Sequence, residues 1–419
     1  MRRLLIVAYY FPPIGGIGSI RMARFATLLP ELGWEPTVIA ARDTPHFVDP
    51  SLGCPADKVV RARSVEFSKL GRALLGGPSG RPLTGGVGAH SRAHAALRVA
   101  AHRYAFYPDA QVGWYPGAVL AGLRMLRRTR FDAIYSSSNP ITAHLVARTL
   151  ARRSGLPWVA EFRDPWSDRL ADDHPHRRRG GRLEDAIAAR ATRIVVPTPG
   201  LRTFLGERWG TDIALIPNGH DLGPPSDRRP DRPTLTHVGT FYPGAQSFRG
   251  LWTALQQRMR AGRRDSPQLR FVGELPAELR QEVESAGLGH LLEETGLLPH
   301  DDAMRAMASS TMLIASGFGG DDPVSLGVIP AKLFEYLASG LPILYLGDAA
   351  DDAARLLGNQ PGCFVVDPAN VAGVLAALDA GLSGPIHRRD VEPFSRRARA
   401  RALAHVLARA AGSADETRP

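Results

Sequence analysis

The sequence predicts an α/β protein made of two doubly wound parallel sheets. Two observations carry this reading. Continuous apolar runs alternate with amphipathic helical stretches along the 419-residue chain, and the alternation breaks and restarts around the polar, proline-rich residues 220–233 ("HDLGPPSDRRPDRP"). A chain of this length is too long for one core and suits two domains with a tail.

The elements follow in order. "LLIVAYY" is an unbroken apolar run, as expected of a strand buried on both faces. Basic residues ahead of this run mimic a signal peptide, but the run is short and no small-residue cleavage site follows, so it reads as a first strand. The loop "FPPIGGIGS", the helix "IRMARFATLLPELG" and the strand "PTVIAA" come next. Residues 50–100 are weakly patterned, and residues 76–88 are rich in glycine and proline. Alternation resumes with "AGLRMLRRTR", "FDAIYSSS", "ITAHLVARTLARRSG", "PWVAEF", "RLEDAIAARA", "TRIVVPT", "PGLRTFLGERWG" and "DIALIPNG". Beyond residue 233 it runs through "TLTHVGTF", "GLWTALQQRM", "QLRFVGE", "AELRQEVESAG", "LEETGLL", "HDDAMRAMASS", "TMLIAS", "GVIPAKLFEYLASG", "PILYLG", "CFVVD" and "VAGVLAALDAGL". The expected division is residues 1–222, 223–393, a last helix at 394–411 and a tail at 412–419.

Composition narrows the partners. Hydrophobic residues make up 44% and charged residues 22%, an ordinary globular balance, with a net charge of +11 that favours acidic partners. Among 52 basic residues only Lys58, Lys69 and Lys332 are lysines, so in this arginine-rich chain the choice of lysine is itself mildly informative. Cys54 and Cys363 show no metal or CxxC spacing and fit a reducing cytoplasm. No window approaches the ~20 apolar residues that span a bilayer.

Five features carry candidate chemistry. In residues 327–344, Pro330 suits the first helical position and Gly340 the residue past the end. Lys332 and Glu335 then share one face near the helix start, where a diphosphate and a ribose would meet a cation and a carboxylate. Taken alone, they are explained by a solvated ion pair worth about 0.3–0.5 kcal/mol. The glycine loop holds Gly15, Gly16 and Gly18, and half-matches a dinucleotide fingerprint with Asp43 as the ribose acid, but Arg21 stands in place of its third glycine. "EFRDPWSD" clusters Glu161, Arg163 and Asp164 at a strand end, where an Arg–Asp pair fixing a loop is the alternative. "HVGTFYPGAQSFRG" ends a strand at Gly239 and offers Arg249 to a phosphate; a surface arginine is the alternative. The basic run at 174–182 reads as a solvated loop, with an anionic acceptor or a membrane as the alternative contact. DxD, GxxxxGK[ST], GxSxG and zinc-spaced His/Cys motifs are all missing from the sequence.

Together, "AYYFPPIGGIGSIRMARFATLLPELGWEPTVIA", "FDAIYSSSNPITAHLVARTLARRSGLPWVAEFRDPW", "IPNGHD", "HVGTFY", "TGLLPHDDAMRAMASS" and "GVIPAKLFEYLASGLPIL" resemble retaining glycosyltransferases of the GT-B fold, closest to the family-four group of bacterial enzymes. That resemblance implies two Rossmann-like domains facing a cleft, an acceptor domain first and a nucleotide-sugar domain second, with the last helix returning to the first domain. It implies a nucleoside diphosphate sugar donor, a UDP-sugar favoured, and a hydroxyl acceptor that is lipid-linked or small, with no metal, other cofactor or nucleic acid. The positive charge and the basic N-terminal region fit a cytoplasmic enzyme with a lipid-linked or surface-glycan acceptor at the inner membrane face, and a secondary-metabolite acceptor fits nearly as well.

Residue by residue, the resemblance implies that Glu335 binds the ribose hydroxyls, that Lys332 and Arg249 hold the diphosphate, and that Gly15, Gly16 and Gly239 line the donor site. It implies that Leu298 offers its backbone to the base, and that Arg163 and Asp164 lie near the sugar. Two departures stand out. The family's first glutamate falls on Gly327, leaving Asp321 or Asp322 as substitutes, and Thr240 stands where many relatives have arginine.

Overall fold

The computed structural model describes residues 1–42, 47–54, 56–64, 107–170, 172–223, 230–262, 266–320, 325 and 327–415. Asp43, the 76–88 run, Asp321, Asp322, the centre of the 220–233 segment and the end of the tail lie outside the described residues.

The chain forms two compact units. The first comprises Met1–Pro197, Leu201–Pro217 and Arg399–Pro419; the second comprises Thr198–Gly200 and Asn218–Ala398. The change of unit thus falls after Pro217, ahead of the proline-rich segment.

Among the described residues the first unit holds seven strands: β1 (Arg2–Val7), β2 (Trp34–Ala41), β3 (Val59–Ala62), β4 (Ala133–Ser137), β5 (Trp158–Glu161), β6 (Arg193–Val196) and β7 (Ile213–Leu215). They form one parallel sheet in the order β3-β2-β1-β4-β5-β6-β7. The second holds β8 (Thr234–Val238), β9 (Gln268–Val272), β10 (Leu292–Gly296), β11 (Met312–Ser316), β12 (Ile343–Leu346) and β13 (Cys363–Val366). Their order is β10-β9-β8-β11-β12-β13, again all parallel. Central strands are covered on both faces: every residue of β4, β5, β8, β11 and β12 is buried, and β11 and β12 accordingly read as near-continuous apolar runs. The edge strands β10 and β13 contain no fully buried residue.

Three elements differ from the sequence reading. Strand β3 lies in the weakly patterned region; at four residues on a sheet edge, with one buried position, it leaves little apolar signal. The short helix Asp352–Gly358 is capped by Asp351, whose side chain accepts the Ala354 N–H. The basic run at 174–182 is not a loop throughout, because a helix spans Arg177–Ala188. Gly180, Glu184, Ile187 and Ala188 make its buried face, and a Cβ at Gly180 would stand 2.9 Å from the Trp166 ring.

The last helix spans Arg396–Asp415. Ala400, Leu403, Leu407 and Ala410 recur at helical spacing, and all four are fully buried with Leu4, Phe25 and Trp34 of the first unit.

Candidate functional site

Strand order in the second sheet reverses between β8 and β11, the topological switch point where doubly wound sheets bind ligands beyond the strand ends. His237, on β8, bridges it. Its Nδ1 lies 3.2 Å from the Ile314 carbonyl of β11. A carbonyl only accepts, so Nδ1 carries the proton and Nε2 is left as an acceptor. That acceptor takes the Lys332 ammonium at 2.8 Å.

Lys332 is the first residue of the helix Lys332–Ser339. The helix is pinned by burial of Leu333, Phe334, Tyr336 and Leu337 and by the Tyr336 hydroxyl, which accepts the Val238 N–H at 2.8 Å. Its anchor is therefore the end of the strand that carries His237.

The surroundings of Lys332 are neutral. Its Nζ meets the His237 ring and, at 3.5 Å, the Thr240 carbonyl; among the described residues no carboxylate pairs with it. Loss of water lowers its pKa from 10.5 to about 7. Burial, reinforced by the Lys332 charge, holds His237 well below the usual histidine range, so the ring stays neutral.

Lys332 and Glu335 do not pair with each other. Glu335 is buried, and its Oε1 accepts from Arg396 Nη2 at 2.9 Å and lies 3.8 Å from His300 Nε2. Arg396 also binds Asp221. His300 stands two residues after Leu298, so it brings the Leu298 loop up to Glu335, while the Leu298 side chain packs into the core beneath the helix.

Gly239 completes this group. Its N–H reaches the Val272 carbonyl at 2.7 Å, and a Cβ on Gly273 would stand 2.9 Å from its carbonyl oxygen, so two strand ends touch backbone to backbone. Arg249 is placed differently: its side chain is 80% exposed and pairs with Glu282 at 3.1 Å. At position 327, where the family pattern has a second carboxylate, Gly327 packs its Cα against Gly200, 2.7 Å from where a Cβ there would sit.

In the first unit the order reverses between β1 and β4, and the glycine loop follows β1. Gly16 has φ 102°, and an added Cβ there would meet nothing within 4 Å, so conformation and not crowding selects glycine. Gly15 packs on Phe47, and Gly18 lies under the Arg163 guanidinium. Arg163 donates to the Ser138 and Asn139 carbonyls, the second at 3.2 Å. Asp164 accepts from Asn139 at 3.1 Å and pairs with Arg169 at 3.2 Å.

Arg163 and Asp164 therefore each fix the same turn through other partners. Arg21 is committed elsewhere: it donates to Glu161 at 2.6 and 2.9 Å and to the carbonyls of Ile216 and Pro217 at 2.7 Å. Burial alone would raise the Glu161 pKa, but Arg21 and Ser137 outweigh it and hold the carboxyl below its usual range. The place of a third fingerprint glycine is thus filled by a buried ion pair, which removes the basis for the dinucleotide reading.

His237, Arg396 and His300 carry no signal of their own in the sequence. His237 hides in "LTHVGTF", where it reads as strand core, and Arg396 stands 61 residues from its carboxylate.

The two doubly wound parallel-sheet units have the architecture of the GT-B fold. Residues 15–219 match the glycosyl transferase 4-like domain. Among solved structures, it is similar to sucrose-phosphate synthase from Thermosynechococcus elongatus, with TM-score 0.62 and 15% identity over 99% of this chain and 98% of that one. It is also similar to the lipopolysaccharide outer core galactosyltransferase WaaB, with TM-score 0.58 and 13% identity over 97% and 99%. HepE from Anabaena, in complex with UDP and glucose, gives TM-score 0.56 and 13% identity over 100% and 99%. No curated protein sequence matches the chain.

Proposed function

We propose that this chain is a glycosyltransferase that moves a sugar from a nucleoside diphosphate sugar, a UDP-sugar in preference, to an acceptor hydroxyl with retention of anomeric configuration and without a metal. The observation that carries this reading is Lys332: a half-buried lysine at the switch point whose described partners are neutral. A diphosphate supplies the missing charge. Glu335 then takes the ribose hydroxyls, the Leu298 backbone meets the base, and Gly239 leaves room for the phosphates. UDP with glucose in the HepE complex supports the choice of donor.

In the reaction, the bond from the anomeric carbon to the diphosphate oxygen breaks. The acceptor oxygen bonds to that carbon from the same face, and its proton passes to the departing phosphate. Lys332 stabilises the negative charge that grows on the leaving group. Arg249 joins it by leaving Glu282, and Arg163 and Asp164 serve the sugar side. No helix among the described residues is long and apolar enough to cross a membrane. The net charge of +11 supports a lipid-linked or surface-glycan acceptor reached at an anionic membrane face on the cytoplasmic side.

The test is a mass-spectrometric screen of nucleotide sugars against glycolipid and small-molecule acceptors, with the anomeric configuration of the product read by NMR. Glycosyl transfer by the wild type and a fall of about 10²–10³-fold in Lys332→Ala are expected, with the fold intact. Transfer at the wild-type rate in that variant overturns the assignment of the donor site.

A further inference from the structure

We infer that His237 is a positioning residue of the donor site: from the floor of the switch point it holds the Lys332 ammonium where a diphosphate meets it. This rests on the reading of Lys332 given above. The geometry leaves the ring little freedom. His237 is 1% exposed, and the rings of Phe241, Phe248 and Phe271 stand 6.1, 5.5 and 5.8 Å from it. Both ring nitrogens are used, one on the Ile314 carbonyl and the other on Lys332.

A packing role among three phenylalanines needs no nitrogen at all. A carboxylate at this place would orient the lysine equally well, but it would cancel the charge that a phosphate has to find. A neutral imidazole takes one of the three ammonium N–H groups and leaves the charge for an anion, with a donor to spare beyond the 3.5 Å contact to the Thr240 carbonyl. It also fixes the end of a flexible four-carbon chain before the ligand arrives. Other titratable groups near by are Glu335 and Tyr336 on the same helix, with His300 and Arg396 gathered at Glu335.

The experiment titrates the full chain with UDP, and with GDP, ADP and dTDP, by calorimetry across pH, using whichever binds the wild type. His237→Asn keeps the donor to Ile314 but offers nothing at the Nε2 position; His237→Gln puts a carbonyl acceptor there. On the order of tenfold weaker binding is expected for Asn and recovery to within about threefold for Gln. His237→Asn adds no further loss to Lys332→Ala. In His237→Asn the affinity also begins to fall at a lower pH than in the wild type, because an acceptor that favours the ammonium is gone.

Wild-type affinity and pH profile in His237→Asn, with binding lost in Lys332→Ala, overturn the positioning role and leave the donor site standing. So do losses that simply add in the double variant. Wild-type affinity in Lys332→Ala, or no binding of any of these nucleotides, overturns the donor-site reading and the role of His237 with it.

Discussion

In the first unit, Arg21 and Glu161 are buried together, cation against anion, with the remaining arginine donors spent on two carbonyls. In the second, the partners of Lys332 among the described residues are acceptors that carry no net charge. The first arrangement is complete without a ligand. The second leaves a charge uncompensated, which costs stability and which folding alone gives no reason to keep. Arg21 follows a phosphate-like glycine loop and yet is structural, whereas Lys332 starts an apolar helix and yet meets no anion among the described residues. Burial alone therefore does not separate a site from a strut, but the charge of the partners does.

The largest expected effect breaks the first arrangement. Glu161→Ala leaves Arg21 buried without its anion and lowers stability by about 3–5 kcal/mol in urea unfolding. Replacing both residues, as Arg21→Met with Glu161→Leu, costs far less. Equal losses in the single and double variants would show that Arg21 does not depend on Glu161.

The next effect sharpens the second arrangement through pH. With the Lys332 pKa at about 7 folded and 10.5 unfolded, the unfolded chain holds more protons between those values. The contribution of this group to the stability of the free protein is therefore lowest below about pH 7 and rises toward pH 10.5. Ligand binding has the opposite sign. A diphosphate needs the ammonium, so above about pH 7, past the second phosphate ionisation near 6, UDP affinity falls by up to about tenfold per pH unit. Calorimetry from pH 7 to 9 measures this slope, and it flattens in Lys332→Ala.

The smallest effect concerns Arg249. Its exposed pair with Glu282 predicts a stability change of less than about 1 kcal/mol in Arg249→Ala, and a loss of UDP affinity below about fivefold, well short of that in Lys332→Ala. A loss as large as that in Lys332→Ala would mean that Arg249 carries the diphosphate to the same extent.

The fold was legible because central parallel strands must be apolar on both faces; "LLIV" and "TMLIAS" announce β1 and β11 without help from their neighbours. Strand β3 was not legible, since an edge strand of four residues needs few apolar positions. Within the site, helical spacing points to Lys332 and Glu335, but the same spacing suggests that they pair with each other. Their true partners are remote in sequence: His237 lies 95 positions from Lys332, and Arg396 lies 61 from Glu335. Such contacts are made by topology, through the adjacency of β8 and β11 and the start of the last helix, and no local pattern encodes them. The glycine loop shows the converse. Three closely spaced glycines resemble one phosphate motif, but they answer three separate demands: packing on Phe47, a positive φ, and contact with Arg163.

The most direct test of the central claim, that Lys332 is a cation kept for a diphosphate, is an experimental structure of the chain with UDP bound. A phosphate oxygen within hydrogen-bonding distance of Lys332 Nζ, about 2.7–2.9 Å, and the ribose hydroxyls on Glu335 are the predicted result. A nucleotide bound elsewhere, with Lys332 still facing only His237 and Thr240, would contradict it.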